Sequence, residues 1–351
     1  MTDKAKILQV ATAAGVSIAT VSRVFSGKQN ISSKTKQAVL DAAEELHYTP
    51  RKYTKRVRSI SSNITIGVVI ADLYNTFFQQ IIKGLSGVFN DKGVNVLICN
   101  SDENPQLEIR HLSVLMEHKV DGIIISPASE GANYNQEYIR DIYQREHLPI
   151  VLVDRDLRGI GVDGVFQDSF TAAFKATEAF IENGHKDIAI IAGPTTSKPG
   201  LDRLHGFMEA LKKNKIAVRE KYVFYGDFKI SSGYHLAKKI IENYPEITAI
   251  YCANNSMAAG ALRAISELNK KVPDDIAFIS TGLLDEYNFF SVSSSITALD
   301  LPAEEMGREC AELMLERLHA SKNHQKLSSK RITMDIPLKR YGSECFPSNR
   351  D

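Results

Sequence analysis

Between Val16 and Val24 the chain sets Ser17, Thr20, Ser22 and Arg23 on one side of a short pattern and Val21 and Val24 on the other. Small hydroxyl groups bond DNA phosphates, and arginine can fork onto guanine, so these residue types suit a duplex. Upstream, Ile7, Val10, Ala11 and Ala14 recur at helical spacing, and Gly15 permits a turn that a helix cannot continue through. Two short helices joined by a glycine turn make a helix-turn-helix, whose second helix can lie in the major groove. A third helix with Ala38, Val39, Ala42 and Leu46 on one face is expected to close the small core. The spacing predicts a DNA-reading head.

Charge follows the same division. Residues 1–60 hold eleven Lys/Arg against four acids, a head of +7, while the whole chain of 351 residues carries only +1. Counterion release makes a locally basic head sufficient for phosphate binding. The plainer reading is a solvated basic surface, but here the charge accompanies the helix-turn-helix pattern.

From residue 64 onward, short apolar runs alternate with amphipathic ones. Strands are expected at 64–71, 94–99, 122–126, 150–154, 188–192, 247–252 and 276–280. Helices are expected at 77–91, 106–118, 136–146, 169–183, 202–214, 233–244 and 256–270, and residues 331–338 read as a last strand-like run. Strand–helix alternation predicts an α/β fold with parallel sheets, and about 290 residues is generous for one sheet, so two doubly wound lobes are expected. The break is placed near Gly159-Ile160-Gly161. Ligands in such sheets sit beyond the carboxyl ends of the strands. The segments there combine Phe77 and Phe78 with Asp72, Asp154, Arg155, Arg203 and Asn254, a mixture suited to a polyhydroxyl ligand.

Other chemistries find little support. No GxGxxG follows a strand, residues 193–200 lack the Gly-Lys-Ser/Thr ending of a phosphate loop, and nothing resembles a nucleophile elbow. His111 and His118 read as surface residues and His185 as a cap on helix carbonyls. Cys99, Cys252, Cys310 and Cys345 are scattered without CxxC spacing and read as reduced cytosolic residues. No apolar run is long enough to span a bilayer, so a cytoplasmic protein without cofactor or metal is expected.

With head, connector and two-lobed core in place, the chain resembles the LacI family of bacterial transcription regulators. The matches are Ala13-Ala14-Gly15-Val16-Ser17, Thr20-Val21-Ser22-Arg23-Val24, Tyr48-Thr49-Pro50, Val120-Asp121-Gly122-Ile123-Ile124 and Asn183-Gly184-His185-Lys186. The resemblance implies a helix-turn-helix head over residues 1–50, a hinge over 51–62, and an effector-binding core over 63–351 similar to periplasmic sugar-binding proteins. Its first lobe is placed at about 63–160 with 290–320, and its second at about 161–289 with 321–340. It also implies a homodimer that represses carbohydrate-use genes and whose affinity for operator DNA is switched by a sugar-like effector.

By position, the resemblance assigns base reading to Ile18, Ala19 and Arg23, and phosphate contacts to Ser17, Thr20, Ser22, Ser32 and Thr35. Lys55 and Val57 fall where the family's hinge helix enters the minor groove, with Val57 in place of a wedging Leu. In the core, Asn75, Phe77, Phe78, Asp154, Arg155, Arg203 and Asn254 match effector-contacting positions, the two phenylalanine rings sandwiching the ligand. This chain departs from the family at Thr76 (usually Pro), Asn255 (usually Asp) and Gly282, where a carboxylate is absent; Asp300 or Asp285 is the expected replacement acceptor. A sugar-binding protein without a DNA role, or a sugar-modifying enzyme using Asp72 and Asp154, are the alternatives.

Overall fold

The computed structural model describes residues 3–25, 31–46, 48, 64–128, 134–157, 159–284, 296–323, 325 and 327–345. The chain divides into two compact units, Met1–Ser61 and Ser62–Asp351.

The first unit holds helices α1 (Asp3–Ala13), α2 (Ile18–Phe25) and α3 (Ser33–Glu45). Gly15 turns the chain at φ +63°, a left-handed conformation that glycine adopts without strain. Val10, Ala11, Val21, Val24, Val39, Ala42 and Ala43 form the core. The face of α3 is shifted from the expected one: Ala43 is buried, whereas Ala38 and Leu46 are exposed.

The second unit is built on two six-stranded sheets. The first runs β11 (Arg331–Met334), β5 (Asp163–Gln167), β4 (Ile150–Val153), β3 (Gly122–Ile125), β1 (Thr65–Ile70) and β2 (Asn95–Asn100). Every pairing within it is parallel. Helices α4 (Thr76–Asp91) and α11 (Ala303–Lys322) share a hydrophobic cluster on one face, while residues of α5 (Pro105–Glu117) and α6 (Tyr134–Arg145) cluster on the other. The second sheet runs β12 (Leu338–Lys339), β10 (Thr297–Leu299), β9 (Ala277–Thr281), β8 (Ala249–Cys252), β6 (Ile188–Ala192) and β7 (Val223–Tyr225). It is parallel except for β12, and is covered by α7 (Ser169–Glu182) with α8 (Lys198–Lys213) and by α9 (Ile230–Asn243) with α10 (Asn255–Glu267).

Two doubly wound lobes are therefore present, but their boundaries differ from those read in the sequence. Gly159 and Gly161, at φ +78° and +75°, turn the chain between two neighbouring strands of the first sheet and do not separate the lobes. The chain leaves that sheet only after Gln167. It returns between β10 and α11, and crosses again between β11 and β12. Residues 331–338 thus form two strands in different sheets, and β10 lies in the second lobe although residues 290–320 were expected in the first. Among the described residues, three crossings join the lobes.

Helices on the sheets approach closely where glycines meet. A Cβ on Gly260 would lie 2.0 Å from the Ile230 carbonyl oxygen, and one on Gly233 2.0 Å from that of Met257. Backbone at that distance cannot yield as a flexible side chain does. Gly260→Ala is expected to destabilise the core by about 1–3 kcal/mol, measured by denaturant unfolding; an unchanged midpoint would refute the close α9–α10 contact.

Candidate functional site

In the head, the exposed side of α2 carries Ile18, Ala19, Ser22 and Arg23, opposite the buried Val21 and Val24. Helices α1 and α2 meet at 101°, within the range of helix-turn-helix units. Ser17 accepts a hydrogen bond from the Thr20 backbone N–H at 3.1 Å and lies 2.9 Å from the Thr20 hydroxyl. Ser32 repeats this at α3, accepting from Thr35 N–H at 3.1 Å with the hydroxyls 2.8 Å apart. Both serines thus start helices, where unpaired N–H groups and the helix dipole favour a phosphate. Thr20 and Thr35 are half-buried beside them. Lys55 and Val57 lie outside the described residues.

In the core, the carboxyl ends of both sheets converge on a cavity of about 30 Å³. Asn75, Phe77, Phe78, Asp154, Arg155, Arg203 and Asn254 all border it, so seven positions scattered through the chain are brought together. Asn75 caps α4, its Oδ1 accepting from Phe77 N–H at 3.0 Å, and Asn254 caps α10, its Oδ1 accepting from Met257 N–H at 2.7 Å. The Asn oxygens are spent on these caps. Ser197 precedes α8 and is buried, yet its hydroxyl makes no hydrogen bond. Three helix N-termini therefore face a cavity that also holds carboxylates.

The charged groups divide their duties. Arg155 is 3% exposed and donates through Nη1 and Nη2 to Glu103 at 2.7 and 2.6 Å, and through Nη1 to the Pro127 carbonyl at 3.0 Å. Its fork is occupied in tying the ends of β2, β3 and β4 together, so Arg155 positions the site. Asp154, in the left-handed region at φ +66°, accepts from Gln167 Nε2 at 2.6 Å. Burial pushes its carboxyl above the ordinary value, and Arg155 and Arg203 oppose that rise. Arg203 donates from Nη1 to the Ala253 carbonyl at 2.8 Å, while its buried Nε has no hydrogen-bond partner. Thr281, also on the wall, shares a 2.7 Å hydrogen bond with Tyr251.

Two expectations for the effector site and one for a histidine are corrected. Phe77 and Phe78 do not flank an open slot; their rings meet edge to face at 5.2 Å and 69° and are 8% and 3% exposed, so they form one apolar wall continuous with the core. Asp300 does not replace the missing acceptor in the central cavity, because it pairs with Lys339 at 2.7 Å and borders a different surface depression. Asp285 lies outside the described residues. Of the histidines, His185 is fully buried with Nδ1 2.8 Å from the Thr248 hydroxyl, so its side chain turns inward and does not cap the helix. His111 lies half-buried, 3.1 Å from the Asn100 carbonyl.

The three core departures meet one another. Asn255 Nδ2 donates to Thr76 Oγ1 at 3.0 Å across the lobes, and a Cβ on Gly282 would stand 2.9 Å from Asn255 Cβ. A larger residue at 282 would displace the Asn255 side chain that makes this bridge. At the far edge, Lys229 of the second lobe reaches Asp102 at 2.8 Å and Asp72 at 3.3 Å in the first. Sequence reading missed Gln167, which ends β5, and Phe228 and Lys229, which follow β7, because neither strand was recognised. Lys229→Ala is expected to raise amide hydrogen exchange at the starts of α4, α9 and α10 while lowering global stability by less than about 1 kcal/mol. Unchanged exchange there would exclude Lys229 as a fastening between lobes.

Comparison with known proteins agrees over both units. The family model described as "Bacterial regulatory proteins, lacI family" matches residues 6–51. That described as "Periplasmic binding proteins and sugar binding domain of LacI family" matches residues 63–341. The HTH-type transcriptional repressor PurR of Yersinia enterocolitica is 30% identical over 345 residues, 96% of this chain and 99% of its own. That of Histophilus somni is 30% identical over 322 residues, 92% of this chain and 95% of its own. Among solved structures, a transcriptional regulator CelR–cellobiose complex aligns with TM-score 0.70 and 26% identity over 96% of this chain and 99% of that one. These relatives are regulators rather than enzymes, and among the described residues no single helix is long and apolar enough to cross a membrane. With a head built to read DNA and a core built to enclose a small molecule, the chain belongs to the LacI family of bacterial transcription regulators: a sequence-specific DNA-binding repressor with an effector-binding domain.

Proposed function

We propose that the effector is a sugar or sugar derivative and that the repressor controls carbohydrate-use genes as a homodimer. The observation that carries the sugar reading is the unspent polar capacity of the cavity. Arg203 Nε and Ser197 Oγ are buried without partners, and they stand with the Asp154 carboxylate beside the Phe77–Phe78 wall. Buried polar groups left unbonded are costly, and a ring with hydroxyls on its edge and an apolar face satisfies both kinds of surface. The solved relative with bound cellobiose supports the same ligand class.

The division of labour in the chain is read as a head over residues 1–50, a hinge over 51–62 and a core over 63–351. In the head, Ile18 and Ala19 offer apolar contact to a thymine methyl, Arg23 pairs with guanine, and Ser17, Thr20, Ser22, Ser32 and Thr35 bond phosphates. Lys55 and Val57 of the hinge enter the minor groove. A symmetric operator needs two heads, and the partner assigned is a second copy of this chain. Edge strand β2 supports that assignment, since Leu97 and Ile98 on it are 38% and 43% exposed.

Arg23→Ala is expected to cost operator binding about 1–3 kcal/mol, measured by fluorescence anisotropy, while effector titration of the same variant is unchanged; undiminished operator affinity would exclude guanine reading by Arg23. The pH dependence follows from Asp154. Its carboxyl is raised by burial, so it gains a proton as pH falls while ordinary carboxylates are still charged. The protonated form is a poorer acceptor for sugar hydroxyls. Effector affinity is therefore expected to decline on mild acidification above the ordinary carboxylate range, and Asp154→Asn is expected to bind weakly with that decline removed. A parent profile as flat as the variant's would dismiss Asp154 as the acceptor.

A further inference from the structure

Resting on the homodimer reading, we infer that Asp121 is a positioning residue for operator recognition: it fastens the point where the tether of each head meets the core, and so sets the half-site spacing that the dimer accepts. The head unit ends at Ser61, and the chain then enters the first sheet at β1. There the Thr65 N–H donates to Asp121 Oδ2 at 2.8 Å, and the Asp121 N–H returns a 2.8 Å bond to the Thr65 carbonyl. One residue earlier, the Ile64 carbonyl accepts from the Asn95 N–H at 3.0 Å.

The turn that carries Asp121 is held firmly. Helix α5 is followed by Lys119 in the left-handed region at φ +52°. The Lys119 N–H donates to the Met116 carbonyl at 3.0 Å and the Val120 N–H to that of Leu115 at 3.3 Å, which is a Schellman ending. Val120 is buried in the same hydrophobic cluster as Leu115. A left-handed residue other than glycine persists where its surroundings dictate the conformation, and this packing does so. On the other side of Asp121, a Cβ on Gly122 would run into Met314 Sδ, so the glycine lets α11 lie over the start of β3. Asp121 therefore belongs to the fixed part of the pair, and Thr65 to the tethered part.

The length of the tether matters because two heads on one palindrome must reach half-sites at a set separation. Each residue released from the sheet adds up to about 3.5 Å of reach. The rise of one base pair is about 3.4 Å. Removing the Asp121 side chain takes away the acceptor of the Thr65 N–H at the very start of the strand, where fraying begins. Release of Ile64 and Thr65 in each protomer then widens the accepted spacing by about one to two base pairs.

The test uses the full chain and a palindrome that it selects from random duplexes, with base pairs added to or removed from the centre and binding read by fluorescence anisotropy. A change of one base pair is expected to weaken binding of the parent by at least about tenfold, and that of Asp121→Ala by less than about threefold. Asp121→Asn keeps an oxygen that accepts the Thr65 N–H and is expected to restore the parent's penalty. Amide exchange at Thr65 is expected to quicken in Asp121→Ala while that of Ile188–Ala192 stays slow, a sign that the core has kept its fold. Asp121→Ala as strict as the parent, a parent indifferent to spacing, loss of binding at every spacing, an unaltered Thr65 amide, or Asp121→Asn behaving as Asp121→Ala overturns the role of Asp121. Sedimentation separates this from the reading beneath it: a monomeric parent overturns the homodimer and the inference together, whereas any of those results in a dimer overturns the inference alone.

Discussion

The core depends on how ions are accommodated between two lobes. A charge withdrawn from water must find an opposite charge or a full set of hydrogen bonds. Arg155 meets the Glu103 carboxylate and the Pro127 carbonyl through its two terminal nitrogens, which join strand ends. Asp154 and Arg203 find only part of what they need. Parallel sheets put these residues together, because every strand of one direction ends at the same edge and the loops there must face the crevice. The arginine answered by the Glu103 carboxylate holds the site, and the arginine bonded to the Ala253 carbonyl is the one left to meet a ligand.

Much of this arrangement was legible in the sequence. Buried parallel strands are written as continuous apolar runs, as in Ile188–Ala192 and Ile276–Ser280, and these stand out without structural knowledge. The segments after them contained Glu103, Ser197 and Thr281 as well as the residues singled out. The head was legible for a different reason: Val21 and Val24 sit three apart on a helix whose other side is polar, a period no strand can satisfy. What escaped notice was short or mixed. β5 reads Asp-Gly-Val-Phe-Gln, polar at both ends because Asp163 receives Arg317 of α11 and Gln167 serves Asp154. β7 and β10 have three residues each, too few to show a period. Missing β5 displaced the lobe boundary to the glycine pair before it, and hid Gln167 with it.

The departures from the family pattern were visible singly, but their relation was not. Thr76, Asn255 and Gly282 are scattered along the chain, Gly282 lying 206 positions after Thr76, and only the folded core shows that one hydrogen bond and one close contact link them. Replacing proline by threonine supplies the acceptor, replacing aspartate by asparagine supplies the donor, and glycine at φ +94° leaves room for the amide between them. Together with Lys229 at the opposite edge, this gives the lobes two polar connections that do not involve the ligand. Any effector must then act against a core whose halves already touch.

The central claim is that filling the cleft changes how the heads hold DNA. It is tested most directly by titrating the full chain into a labelled palindromic operator fragment at fixed salt, with and without saturating sugar. The account predicts an operator dissociation constant that moves by at least about fivefold, the lower range of allosteric couplings. It also predicts that Arg203→Ala keeps operator binding but loses the shift. An operator affinity that no sugar alters, or a shift that survives in Arg203→Ala, would contradict it.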